Sequence, residues 1–244
     1  MEDSPGQIVE VLINNKKSDA AVTKLAVKYL VGDKPFRIVV KSQMNLPRGQ
    51  GFGMSGAGAL STTIALGEIL EISKDVCLKA AHFAEVQLKT GLGDVIASSF
   101  GGIEIRREPG LPPWGIIEHI PGNYDVVLCV TGKKIDTKKI LSNQIQSKGI
   151  VTHGRFCTKK LLESPSLENL FSLSQYFSKK TNLAMDKTLR AVEAVQNYGA
   201  ASMCMLGNSV FAVGKTDELC KILSNFGKVF VCKIDEIGAR RLEI

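Results

Sequence analysis

Between Pro47 and Ser61 the chain reads Pro-Arg-Gly-Gln-Gly-Phe-Gly-Met-Ser-Gly-Ala-Gly-Ala-Leu-Ser, and an apolar helical pattern follows without a break to Leu70. Proline removes a backbone donor and glycine permits left-handed φ, so the first half of this stretch must be a loop. Its second half must be a helix lined with small residues, able to pack closely on its neighbours. A glycine loop delivered onto a helix N-terminus offers unpaired N–H groups, a positive dipole end and backbone without Cβ atoms in the way, which is a site for phosphate.

The 244 residues, 44% of them hydrophobic, suffice for one large domain or two modest ones and exclude a disordered chain. A net charge of +7 suits an acidic partner or substrate. The basic residues are not interleaved with aromatics, which argues against nucleic acid as partner. Cysteines at 77, 129, 157, 204, 220 and 232 form no C-x-x-C pair and have no histidine at zinc-ligand spacing, so they read as reduced core thiols of a cytoplasmic protein. No apolar run approaches the roughly 18 residues of a spanning helix, so no membrane partner is expected.

Periodicity predicts a strand over Ile8–Asn14, a helix over Asp19–Leu30, a strand over Phe36–Ser42 and helices over Ser55–Leu70 and Lys74–Lys89, the last stopped by Gly91. A strand is expected within Gly101–Arg107, then a surface connection rich in proline and glycine over Pro109–Gly122. Beyond it come a strand at Tyr124–Thr131 and helices at Lys138–Leu162, Ser166–Ser178 and Leu183–Tyr198. The chain closes with strand Ala201–Leu206, turn Gly207-Asn208, strand Val210–Val213, helix Asp217–Phe226 and strand Lys228–Lys233. Helix pairs with antiparallel strands make an α+β fold, divided here into domains 1–122 and 123–244.

The loop satisfies Gly51-x-Gly53-x-x-Gly56, with Asp75 roughly twenty residues on, as in a dinucleotide fingerprint. That fold needs its acid at the tip of a second strand, whereas Asp75 lies between two helices. No Gly-Lys-Ser/Thr follows the glycines, which excludes a Walker loop. Taken alone, a turn made only for close packing stays open.

Further on, Glu85 lies on a helix, Gly91-Leu-Gly-Asp94 follows it, and Gly101-Gly102 comes after the aspartate. With the loop, these segments resemble the GHMP small-molecule kinases, and Gly51–Ser61, Thr90–Val95 and Met205–Phe211 resemble their archaeal pantoate kinase branch. The resemblance implies a two-domain fold, with an N-terminal part like the second domain of a ribosomal small-subunit protein and a ferredoxin-like C-terminal part. It also implies ATP and Mg²⁺ as cofactors and phosphorylation of pantoate to 4-phosphopantoate on the way to coenzyme A. Members of that branch carry several tens of residues before the strand at Ile8, including a first strand and part of the acceptor pocket, so on this resemblance either the start of the chain is truncated or its pocket is incomplete.

On this resemblance the ATP loop is Pro47, Gly49, Gly51, Gly53, Met54, Ser55, Gly56, Ala57 and Gly58, with Ser55 and Glu85 as Mg²⁺ ligands and Asp94 as general base. His82, one turn before Glu85, is either a core histidine or a partner for the acceptor's hydroxyl or carboxylate. Arg106 offers a planar fork to that carboxylate, with Glu104 as its same-side neighbour. Thr137 either caps a helix or binds an anion there. The basic group Lys133, Lys134, Lys138 and Lys139 is either wet surface or an attraction for nucleotide, and Gly207-Asn208 is a hairpin turn that also supports the site. A homodimer is a further expectation. Two other functions stay open: a GHMP kinase for homoserine, shikimate or mevalonate, and a non-catalytic nucleotide or metabolite sensor.

Overall fold

The computed structural model describes residues 2, 3, 6–91, 93–135, 140 and 144–242. Packing divides them into two compact units. The first takes the chain up to Pro47, Gly53–Gly101 and the tail from Ile237; the second takes Arg48–Phe52 and Gly102–Glu236. Packing thus draws its line at Gly101, earlier than the domain boundary expected after Gly122, and it assigns five residues of the glycine loop to the second unit.

In the first unit, strands β1 (Glu2–Asp3), β2 (Ile8–Ile13), β3 (Lys16–Ser18) and β4 (Phe36–Ser42) form one sheet in the order β1-β4-β2-β3. β2 and β4 run parallel with helix α1 (Ala21–Val31) as their crossover. The hairpin from β2 to β3 was not legible as a strand pair. It turns on Asn14 and Asn15, both at positive φ, which asparagine tolerates better than most residues. Val27, Val31, Ile38 and Leu66 are the centre of the core beneath this sheet.

Helix α2 (Met54–Leu70) is buried along most of its sides, as its small residues require, and it packs against α1, α3 (Lys74–Leu88) and α4 (Asp94–Phe100). Gly67 allows the approach of α3, because a Cβ there would run into the Cys77 thiol. α4 was not anticipated, since its seven residues are too few to show a period. α3 ends at Leu88 on a left-handed Lys89, so Gly91 is not its stop. Gly91 is needed for a different reason, described below.

In the second unit, β7 (Asp125–Val130), β8 (Gly199–Met203), β9 (Ser209–Gly214) and β10 (Lys228–Lys233) make an antiparallel sheet in the order β10-β7-β9-β8. Helices α7 (Asp186–Ala194) and α8 (Thr216–Leu223) close its core through Ala191, Leu219 and Leu223 on Val127, Val210 and Ala212. Helices α5 (Gln144–Glu163) and α6 (Leu167–Thr181) back a ribbon of β5 (Ile103–Glu108) and β6 (Ile116–Ile120) through Leu161 on Ile105 and Ile120. β6 lies inside the expected surface connection, where proline and glycine hid a five-residue strand. The α+β class holds, and no helix among the described residues is long and apolar enough to cross a membrane.

Candidate active site

Glu85 is the most unusual side chain of the first unit. It is 2% exposed, and neither carboxylate oxygen has a hydrogen-bond partner among the described residues. Two glycines make room for it. A Cβ on Gly56, in the first turn of α2, would stand 2.9–3.0 Å from the carboxylate, and a Cβ on Gly91 would overlap it outright. Leaving an unpaired carboxylate in such a place is costly, which is the mark of a group awaiting a cation.

Its charge state reflects that cost. Burial, then repulsion from Asp94, raise the Glu85 carboxyl from 4.5 to about 7. The Val95 amide of α4 approaches it and offsets the shift in part, without reaching the geometry of a hydrogen bond. Asp94 is the first residue of α4, behind Gly93 at φ 130°, and a Cβ on Gly53 would stand 3.1 Å from the Asp94 Cβ. Gly53 is also the N-cap of α2, left-handed at φ 63° with no side-chain cap. The amides of Met54, Ser55 and Gly56 therefore open the helix without a carbonyl partner inside it. Ser55 is exposed one residue before Gly56. Gly53, Ser55, Gly56, Glu85, Gly91 and Asp94 are thus gathered at one end of α2.

The loop's upstream part is built into the second unit. The Gln50 side chain, 5% exposed, donates to the Gly132 carbonyl at 3.0 Å, and its backbone carbonyl accepts from Ser209 Oγ. Gly51 has its Cα against the Cys204 carbonyl, and Gly207 has its Cα against the Gln50 carbonyl, so the turn at Gly207-Asn208 does carry the loop. Composition offered no sign of the Gln50 clamp, because a lone polar residue among glycines looks like loop filler. Its partner, Ser209, could have been suspected from its place next to that turn.

The acceptor residues fall out differently. His82 is half-buried on α3, with its ring 6.1 Å from that of Phe83. Arg106, in the second unit, directs Nη2 and Nε at one oxygen of Glu104, 2.9 and 3.2 Å away, which confirms the same-side neighbour read from alternation. Thr137, Lys138 and Lys139 lie outside the described residues. Among the described residues no cluster of three or more His, Cys, Asp or Glu could hold a metal by itself. Any ion at Glu85 would need ligands from Ser55, water and its anionic partner, which is how Mg²⁺ is ordinarily held. The orphaned, buried oxygens of Glu85 fit such an ion.

A glycine loop opening an apolar helix, with a buried glutamate and an aspartate at that helix end, lies within residues 17–102, which match the family described as GHMP kinases N terminal domain. The fold agrees: L. major mevalonate kinase in complex with R-mevalonate superposes with a TM-score of 0.66 at 15% identity, over 98% of this chain and 85% of that one. A structure titled phosphotransferase related to CoA biosynthesis pathway superposes with a TM-score of 0.85 at 27% identity, over 98% of this chain and 82% of that one. The chain is 34% identical over 227 residues to the pantoate kinase of Methanocaldococcus jannaschii, covering 92% of this chain and 83% of that protein. It is 33% identical over 208 residues to the pantoate kinase of Thermococcus kodakarensis, covering 83% of this chain and 68% of that one. The chain belongs to the pantoate kinase family of GHMP kinases.

Proposed function

We propose that this chain transfers the γ-phosphoryl group of ATP to the primary alcohol of pantoate, giving 4-phosphopantoate for coenzyme A synthesis. The observation that carries the reading is the Glu85 carboxylate, buried without a partner between Gly56 and Gly91 and raised to about 7. A structural glutamate would be paired or exposed; one held like this is matched to a cation that accompanies a polyphosphate.

The roles follow from the chemistry. The open amides at the start of α2, with Gly53–Gly58, receive phosphate oxygens and orient the γ-phosphoryl group for in-line attack. Ser55 and Glu85 would hold Mg²⁺, which would supply positive charge to offset that on the phosphate oxygens. Asp94 accepts the acceptor's hydroxyl proton as the alcohol oxygen bonds to the γ-phosphorus. The bond from that phosphorus to the β,γ-bridging oxygen breaks, and ADP leaves with the electron pair. Arg106, braced by Glu104, is assigned to the pantoate carboxylate, and His82 and Thr137 to its remaining polar groups. Six unpaired cysteines support a reducing cytoplasm as the site of action, and light scattering tests the expected homodimer.

The test is ADP release from ATP with pantoate, homoserine, shikimate or mevalonate as acceptor. Turnover confined to pantoate supports the reading. Turnover with another alcohol moves the chain to a different GHMP substrate, and ATP binding without turnover on any of them makes it a sensor.

A further inference from the structure

The ribbon of β5 and β6 has a second face that the core does not use. Ile103, Ile105 and Ile120 turn toward α5 and α6, so alternation sends Glu104 and Arg106 of β5 the other way, together with Ile117 and His119 of β6. The register sets Glu104 directly across from His119 and Arg106 across from Ile117, all of them in the second unit. Opposite Cβ atoms in such a ladder stand about 5 Å apart and diagonal ones about 7–8 Å. His119 and Arg106 are therefore within reach of the same four-carbon ligand.

Backbone geometry seats the histidine. Gly102 is at φ 73°, and a Cβ there would stand 3.1 Å from His119 Cδ2 and 3.8 Å from its Nε2, so the edge of the imidazole lies against the glycine backbone. The Gly102 amide donates in turn to the Asp235 carbonyl at 2.8 Å, which fixes the floor beneath the ring. His119 is exposed, whereas the Glu104 side chain across from it is only 9% exposed.

The charges of this face give a ligand its direction. Arg106 directs Nη2 and Nε at one oxygen of Glu104, at 2.9 and 3.2 Å, and the second oxygen is buried with no hydrogen-bond partner among the described residues. A carboxylate approaching the ribbon is drawn to the guanidinium and repelled from Glu104. The part of a ligand that comes to rest beside Glu104, where His119 stands, is favoured when it is uncharged and can donate a hydrogen bond, as a hydroxyl can.

We infer that His119 reads the hydroxyl on the carbon next to the acceptor's carboxylate, which makes the ribbon a recognition face for a 2-hydroxy acid. This rests on the pantoate reading given above, with Arg106 on the carboxylate, and it adds a contact to those assigned to His82 and Thr137. A neutral imidazole has one N–H and one bare ring nitrogen, so it can serve a hydroxyl as donor or as acceptor. It acts on the acceptor and leaves the nucleotide alone.

The test compares pantoate with 4-hydroxy-3,3-dimethylbutanoate, which lacks only the 2-hydroxyl, by equilibrium titration of the full chain with Mg²⁺ and a non-hydrolysable ATP analogue, and by kcat/KM with ATP. Wild type is expected to favour pantoate about tenfold, the usual worth of one hydrogen bond whose loss leaves a partner unsatisfied. In His119→Ala that preference falls toward one, because pantoate binds more weakly while the deoxy acid binds as before; KM for ATP and the thermal midpoint hold. His119→Gln, which keeps a donor and an acceptor, regains most of the preference. Equal weakening of both acids in His119→Ala, an unchanged preference in that variant, or a wild type that binds both acids equally overturns the inference. A wild type that neither binds nor phosphorylates pantoate fails one step earlier, at the pantoate reading itself, and takes this inference with it.

Discussion

Replacing Glu85 by glutamine separates the cost of the site from its use. In metal-free protein the Glu85 carboxyl titrates at about 7, against 4.5 unperturbed, with burial as the main cause and Asp94 as the second. The folded state therefore binds this proton more tightly than the unfolded chain. Its stability contribution is fully present below about 4.5 and is lost as the pH rises to 7 and beyond. The shift corresponds to about 3 kcal/mol, or several degrees in the unfolding midpoint. A buried glutamine carries its own unpaired amide, so the absolute stability of Glu85→Gln is not the informative quantity. That amide does not titrate, and its cost cancels when the two proteins are compared across pH.

Denaturant unfolding in EDTA, run for both proteins at pH 5 and at pH 8, measures the difference. The gain of Glu85→Gln over wild type should be larger at pH 8 by about 2.5 kcal/mol, because part of the contribution is already lost at pH 5. Adding Mg²⁺ with a non-hydrolysable ATP analogue at pH 8 should stabilise the wild type much more than the variant, which should also lose turnover. A stability difference that stays flat between pH 5 and pH 8 would refute the reasoning, because Glu85 would then be paired or solvated in the folded protein.

Asp94→Asn should lower kcat by about 100- to 10,000-fold, the usual worth of a general base, with little change in KM for ATP, as steady-state kinetics at saturating Mg²⁺ will tell. Gly91→Ala should displace the Glu85 carboxylate and raise the Mg²⁺ concentration needed for half-maximal rate; Gly149→Ala, with nothing within 4 Å of the new methyl, serves as control and should leave the rate as it was. For Arg106→Ala, KM for pantoate should rise about tenfold or more while KM for ATP holds, and an equal rise in both would assign Arg106 to bracing the ribbon with Glu104 instead.

Much of the site could be read in order along the chain, because its parts are local. Glycine spacing and the apolar pattern after it define a loop and a helix N-terminus without any knowledge of the rest, and Glu85 and Asp94 lie close enough in sequence to be recognised with them. The least legible elements were short or irregular. β6 is enclosed by proline and glycine, and α4 has two turns. Gly91 illustrates the difference most clearly. As sequence it is a helix breaker, but α3 stops earlier on Lys89, and Gly91 exists to leave volume for a carboxylate six residues upstream.

By itself, then, the sequence determined an α+β chain with a glycine loop running onto a helix N-terminus, since these depend on residue type and on spacing within one or two elements, while its resemblance to the GHMP kinases implied the roles of Glu85 and Asp94. Only tertiary structure decided the rest. Burial left Glu85 without a partner and raised its affinity for a proton. Packing seated the two halves of one loop in different compact units, with Gln50 clamped by Ser209 and Gly132, and Lys134 was brought beside Gly49 from eighty-five residues away in the chain. The physical reason is that charge, volume and desolvation depend on which atoms are neighbours in space, and that neighbourhood exists only once strands and helices have closed on a common core.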